Sequence, residues 1–248
     1  MGKGLFITGT DTGVGKTLVG CGLASALRGL GYKIGVMKPV ETGCQDREGE
    51  LFPQDAFYLK EASESEEPLH RICPYRLSSP LAPSVAAEEA GIEIHFSLLS
   101  QIYSEMSGSN DLTLVEGAGG LLVPLQSRFT YADLVRRLNL PVIVVVANRL
   151  GAINHTLLTL AHASRIGIEV VGYILNDLES HPSPATKTNA RSLQALTSIP
   201  CLGKIPHLTA TQLQGAGVGI RPSFISTLFQ EKIRLSLLDP VLQRKDPS

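Results

Sequence analysis

Leu5-Phe6-Ile7-Thr8-Gly9-Thr10-Asp11-Thr12-Gly13-Val14-Gly15-Lys16-Thr17 decides the fold of this chain. An apolar run breaks into Gly and Thr, then resumes as Leu18-Val19 with Ala24, Leu27 and Leu30 behind it, the pattern of a strand, a tight loop and a helix. Gly13 and Gly15 let the backbone curl until successive N–H groups point into one concavity, and a helix beginning near Lys16 adds its positive end. Such a concavity holds phosphate oxygens. Lys16 is placed to neutralise β- and γ-phosphates, and the Thr17 hydroxyl to ligate a Mg²⁺ that keeps most of its waters. One feature departs from the common pattern: five residues, 10–14, separate Gly9 from Gly15, where about four are usual.

Outward from this stretch, strand and helix patterns alternate. Gly31 is placed to end the first helix, residues 33–37 read as a second strand, 112–115, 142–147 and 170–175 as further strands, and 199–207 as the last strand and its exit loop. Residues 95–106 carry a helical apolar spacing, and Thr130 with Asp133 at N3 caps a short helix. The expectation is a single α/β domain over residues 1–248, a doubly wound, mostly parallel sheet flanked by helices, of the phosphate-loop NTPase type.

Composition narrows the function. Net charge is −1, with no Lys/Arg-rich block, which argues against a grip on nucleic acid or an anionic membrane. The four cysteines, Cys21, Cys44, Cys73 and Cys201, form no C-x-x-C pair and read as reduced thiols. Residues 1–4 run straight into the first strand, leaving no room for a leader, and the longest apolar run, 142–147, is too short to span a bilayer. A cytoplasmic protein is expected.

In an open parallel sheet, ligands sit beyond the carboxyl ends of the strands. The second strand exits into Lys38-Pro39-Val40-Glu41-Thr42-Gly43, which puts Lys38 and Thr42 on the same edge as the phosphate loop. The strand at 112–115 exits into Glu116-Gly117-Ala118-Gly119-Gly120, a carboxylate on a rigid element followed by residues without bulk, as a metal site beside phosphates requires. Residues 44–68 are polar and acidic and read as a solvated loop and the start of a helix. Composition singles out no carboxylate there, although Asp55, after Pro53-Gln54, is placed in the first turn of a helix. Asn154 is a candidate N-cap for a helix ending near Gly167, whose free N–H groups suit a carboxylate. The guanine-reading pattern Asn-Lys-x-Asp is missing at both Asn148 and Asn176. Residues 209–248 carry no assigned function, with 224–238 read as a last helix.

Residues 9–17 match without gaps the Gly-Thr-Asp-Thr-x-Val-Gly-Lys-Thr loop of the dethiobiotin synthetases, and the chain resembles that family through five motifs in order across residues 5–208. The others include Lys-Pro-Val-x-[Ser/Thr]-Gly at 38–43, Glu-Gly-Ala-Gly-Gly at 116–120 and Leu-Gly-x-Ile-Asn-His at 150–155. The resemblance implies that Gly13, Val14, Gly15, Lys16, Thr17, Leu18, Glu116, Gly117, Ala118 and Gly119 surround the phosphates of ATP. It makes Lys16 and Lys38 the catalytic lysines, and Thr17, Asp55 and Glu116 the ligands of Mg²⁺. Thr12 and Thr42 become substrate contacts. Gly151, Ala152 and Asn154 grip the substrate's tail carboxylate from the partner subunit of a homodimer, Asn176 meets adenine, and Ile205, Pro206 and His207 lie along the base. Ser84 stands where the family's Pro-x-x-Pro-His stretch has its His.

What the family does is join 7,8-diaminononanoate, CO₂ and ATP: an amine becomes a carbamate, the carbamate takes the γ-phosphoryl group, and the second amine closes a cyclic urea. Two rivals share the nucleotide loop. A switch ATPase of the partitioning or division-site type carries an extra lysine early in the loop, where this chain has Asp11, and a glutamine-dependent amidating synthetase needs a further domain for which residues after 208 leave no room. Lys16→Ala or Glu116→Ala is expected to abolish turnover with the fold intact.

Overall fold

A computed structural model describes residues 3–209, 211, 212 and 221–243. β1 (Gly4–Gly9) leads through the glycine-rich loop to α1 (Lys16–Gly29), and α1 to β2 (Ile34–Met37). Short elements follow: β3 (Val40–Thr42), β4 (Gln45–Arg47), β5 (Glu50–Phe52), α2 (Gln54–Ser63), α3 (Leu69–Ile72), β6 (Tyr75–Leu77) and α4 (Pro83–Glu89). α5 (Phe96–Gly108) brings the chain to β7 (Leu112–Glu116), and β8 (Pro124–Gln126) with β9 (Phe129–Thr130) precedes α6 (Tyr131–Leu138). The last stretch alternates as β10 (Val142–Ala147), α7 (Ala152–Arg165), β11 (Val170–Asn176), α8 (Pro184–Leu196) and β12 (Cys201–Ile205), with a C-terminal helix at Pro222–Lys232.

Six strands form one sheet in the order β12-β11-β10-β1-β7-β2. Every pairing in it is parallel. The strands are near-continuous apolar runs because both faces are covered. Phe6 enters one cluster with Val142, Val144 and Val146 beneath α5, α6 and α7, while Leu5 and Ile7 enter the other with Ile143 and Val145 beneath α1, α2 and the C-terminal helix. Burying one such side chain contributes roughly 1.5–3 kcal/mol. β1 lies at the sheet's centre, with β7 on one side and β10 on the other, so the chain reverses direction around it. That reversal opens a crevice at the carboxyl ends of the strands, directly above the glycine-rich loop.

Most element boundaries fall where the sequence places them. Gly31 (φ 94°) follows α1, with the Tyr32 N–H closing back on the Leu27 carbonyl. At α6, Thr130 and Asp133 form the reciprocal capping box. Three readings need correction. The helix expected to start at Asn154 starts earlier, because Gly151 at φ 91° takes the N-cap position and leaves Asn154 inside the first turn. The helix read over 224–238 stops at Lys232: Ile233 pairs with Gly203, the Arg234 N–H is taken by the Leu202 carbonyl, and Leu235–Leu238 is a 3₁₀ turn. Residues 45–52 are a β4–β5 hairpin, in place of the first part of the expected solvated loop. The C-terminal helix packs on α1 at Gly22, where any side chain would run into the Phe229 ring.

Among the described residues no helix is long and apolar enough to cross a membrane. All four cysteines are buried and free, in keeping with their scattered spacing.

Candidate active site

The glycine-rich loop between β1 and α1 has the backbone its sequence requires. Gly13 and Gly15 take φ of 73° and 92°, and Gly15 is the left-handed N-cap of α1. Only glycine fits there. A Cβ on Gly15 would fall on the side-chain amide of Asn176, whose nitrogen donates to the Val14 carbonyl at 2.9 Å and pins the loop to the end of β11. Gly15→Ala therefore combines strain of about 1–3 kcal/mol with a steric conflict. Calorimetric titration with Mg·ATP is expected to show affinity at least about tenfold weaker, and parental affinity would refute this account of the loop.

The Glu116–Gly120 turn closes over the loop from β7. The Gly9 N–H donates to the Gly119 carbonyl at 3.2 Å and the Gly117 N–H to the Ile7 carbonyl at 3.0 Å. Gly119 is at φ 68° and faces the Thr12 hydroxyl, so Thr12 stands at the mouth between the two turns. Asp11 holds the Thr12 N–H at 2.7 Å and pairs with Arg149 at 3.2 Å, which ties the loop to the exit of β10.

Two lysines and two carboxylates meet beneath these turns. Lys38, just past β2, donates to Asp55 of α2 at 2.9 Å and to Glu116 of β7 at 2.5 Å. Thr17, in the first turn of α1, donates its hydroxyl to the same Glu116 oxygen at 2.9 Å. The Lys38 and Glu116 side chains are 3% and 1% exposed, while that of Asp55 is 39% exposed and opens to the crevice. Burial opposes a charge on Lys38, but Glu116, Asp55 and Glu41 outweigh it and hold the ammonium well above the ordinary lysine value. Burial likewise opposes the Asp55 charge, and Lys38 and Thr17 overrule it, so Asp55 is lowered. At Glu116 burial prevails over Lys38 and raises the carboxyl. Among the described residues the second Glu116 oxygen has no hydrogen-bond partner, and it lies against Gly20.

Lys16 is buried against the loop, donating among the described residues only to the Asp11 carbonyl at 3.2 Å. Burial first, then the nearby Lys38, lowers it to about 8. An incoming anion would supply the countercharge it lacks.

Glu41 is a site residue that the sequence does not single out, since it occupies the unspecified position between Val40 and Thr42. It is buried, and its two carboxylate oxygens accept from the Asp55 and Ala56 N–H groups at 2.9 and 3.0 Å. Burial and then Asp55 raise it to about 7, against the pull of Lys38 and of those two N–H groups.

Other expected site residues are arranged around this centre. Thr42 ends β3, paired with Leu77 of β6, and Ser84 sits half-buried in the first turn of α4. Asn176 and Ile205 are partners at the ends of β11 and β12, with Pro206 and His207 half-buried beyond them. A second unforeseen feature is the buried amide network in which Asn148 donates to Asp177 at 2.6 Å and accepts from Asn189 at 2.9 Å. Gly151, Ala152 and Asn154 open α7 on the same sheet edge. Among the described residues, none of the three hydrogen-bonds to the lysine–carboxylate cluster.

The AAA-domain family model matches residues 3–214. The chain is 42% identical over 217 residues to an ATP-dependent dethiobiotin synthetase of Thermodesulfovibrio yellowstonii, covering 84% of this chain and 90% of that protein. It is 38% identical to the Bacillus velezensis protein of the same name, over 86% of this chain and 91% of the relative. Among solved structures it resembles the septum site-determining protein of Pyrococcus horikoshii at a TM-score of 0.55 and 16% identity, covering 93% of this chain and 96% of that one. A ParA family ATPase from Chlorobium tepidum matches at 0.53 and 13%, covering 98% of each chain. At such identities the structural likeness is one of fold.

Proposed function

The chain belongs to the ATP-dependent dethiobiotin synthetases, and from that premise we propose that Lys16, Thr17, Lys38, Asp55 and Glu116 form the reaction centre of a single catalytic domain. It is an ATP-using ligase of biotin biosynthesis, a cyclo-ligase. The observation that carries the assignment of residues is the convergence of Lys38 and Thr17 on Glu116, with Asp55 on the other side of the same ammonium.

The substrates in this reading are 7,8-diaminononanoate, CO₂ and ATP. One amine adds to CO₂ and loses a proton to give a carbamate. A carbamate oxygen then takes the γ-phosphoryl group, releasing ADP, and the second amine attacks the carbamoyl carbon, expelling phosphate and closing the urea. A carbamate and a triphosphate repel each other, so the site must concentrate positive charge where they meet. Lys16 lies along the loop that cradles the phosphates, and Lys38 lies between the carboxylates at the crevice floor. The glycine turns keep side chains away from the phosphate oxygens.

Mg²⁺ fits the donor set. Thr17, Asp55 and Glu116 present hard oxygens around a point where Lys38 now supplies the positive charge, and two carboxylates with a hydroxyl leave room for phosphate and water oxygens. Bound there, the ion screens the β- and γ-phosphates. The Pyrococcus horikoshii septum protein was solved as a complex with Mg-ADP.

Gly151, Ala152 and Asn154 serve a second copy of the chain in this reading, gripping the tail carboxylate of its substrate. Beside them Leu150 is 88% exposed and Leu158 on α7 is 62% exposed, an apolar surface suited to a homodimer contact. Asn176 and residues 205–207 line the adenine end, and the setting is the cytoplasm.

Phosphate release from Mg·ATP, measured with and without the diamine plus bicarbonate and with the organic product weighed, tests this function. Release that requires both additions and yields a cyclic urea is expected. Hydrolysis indifferent to the diamine but stimulated by DNA, lipid or a protein partner would overturn it in favour of a switch ATPase.

A further inference from the structure

We propose that Glu41 is a positioning residue for the metal site: it caps α2 from outside the helix and thereby sets Asp55 against Lys38. Pro53 is the N-cap residue of α2, and no side chain within the helix's own start satisfies its first N–H groups. Proline has no side-chain oxygen with which to cap. Glu41 supplies the missing acceptors from β3, one carboxylate oxygen to the Asp55 N–H at 2.9 Å and the other to the Ala56 N–H at 3.0 Å. The bound N–H is that of Asp55 itself, the residue whose carboxylate receives Lys38 at 2.9 Å.

Glu41 and Lys38 lie three positions apart on one stretch of chain, so Asp55 is fixed at two points by the same segment. The Glu41 carboxylate holds its backbone and the Lys38 ammonium holds its side chain. Both Glu41 oxygens accept from backbone donors, so the role assigned to Glu41 is to hold α2 rather than the ion. A carboxylate at the start of a helix also meets the positive end of the helix dipole. Groups that orient a metal ligand typically change metal affinity by about 10–100-fold when removed.

The inference rests on Asp55 being a ligand of the nucleotide-borne ion, and the experiment separates the two claims. Affinity for a non-hydrolysable ATP analogue is measured by calorimetry with Mg²⁺ and with EDTA, in the parent and in the Glu41→Gln, Glu41→Ala and Asp55→Ala variants, alongside KM for the diamine. Glu41→Gln retains the volume but turns one acceptor into a donor facing an N–H. The expected result is a loss of about tenfold in the Mg²⁺-dependent affinity, with EDTA affinity and diamine KM unchanged. Adding Pro53→Ser to Glu41→Ala gives α2 a cap of its own and is expected to restore most of the loss. Equal losses with and without Mg²⁺, or no rescue by Pro53→Ser, would reduce Glu41 to a general structural role and overturn the proposal. An unchanged Glu41→Gln beside a weakened Asp55→Ala would overturn this proposal alone. If Asp55→Ala itself keeps its Mg²⁺ dependence, the ligand assignment falls, and this proposal with it.

Discussion

Lys16→Ala is expected to lower the diamine-dependent release of phosphate by at least about 10³-fold while leaving the melting temperature equal to the parent's or higher. The loss follows from what Lys16 lacks: among the described residues its only hydrogen bond is to the Asp11 carbonyl at 3.2 Å and none of their carboxylates is paired with it, so its charge is left for the phosphates. The stability prediction follows from its lowered pKa. A lysine held at about 8 in the folded protein, against an ordinary value of 10.5, binds its proton less well when folded. Its burial therefore works against folding wherever both states are protonated, fully so below pH 8, with the penalty declining as pH rises toward 10.5. Removing the side chain removes that penalty. Paired activity and thermal-melt measurements at neutral pH check both halves. Activity within about tenfold of the parent would sink the role of Lys16, and a clear drop in melting temperature would sink the account of its burial.

How much of this was legible in the sequence depends on what each residue does. The glycine-rich loop could be read because positive φ and close backbone approach leave almost no choice of residue, and Gly15 against Asn176 shows why. The sheet could be read because strands covered on both faces are apolar without interruption. The placement of Lys38, Glu116 and Asn176 on one edge followed from strand ends alone. Their hydrogen bonds did not, since Lys38 and Glu116 are 78 positions apart and nothing local sets their register. Asp55 could not be separated from its acidic neighbours by composition. Glu41 was invisible for a different reason: its partners are backbone N–H groups, which nearly every residue carries. The start of α7 was misplaced because Gly151 and Asn154 are both acceptable at an N-cap, and the choice was made by tertiary geometry.

Glu116→Ala is expected to abolish turnover and, contrary to the simplest reading of a site residue, to cost the fold roughly 2 kcal/mol in urea denaturation. The sequence alone suggests that the fold would be untouched. In the structure Glu116 is the principal partner of Lys38, and the two side chains are 1% and 3% exposed. Leaving a buried charge without its partner costs about 3–5 kcal/mol. Two features reduce that figure. Lys38 keeps its 2.9 Å bond to Asp55, and the second Glu116 oxygen, against Gly20 and without a partner among the described residues, is itself a liability whose removal returns about 1–3 kcal/mol. Glu116→Gln isolates the chemistry, since its amide oxygen can still accept from Thr17 and Lys38. That variant is expected to be destabilised less than the alanine variant and to remain inactive, because the carboxylate charge is gone. Lys38→Met added to Glu116→Ala removes the stranded ammonium and is expected to recover stability with no recovery of activity. If the single alanine variant denatures like the parent, Lys38 has another partner and the buried pair does not hold the sheet edge together; if it turns over like the parent, Glu116 has no part in the reaction.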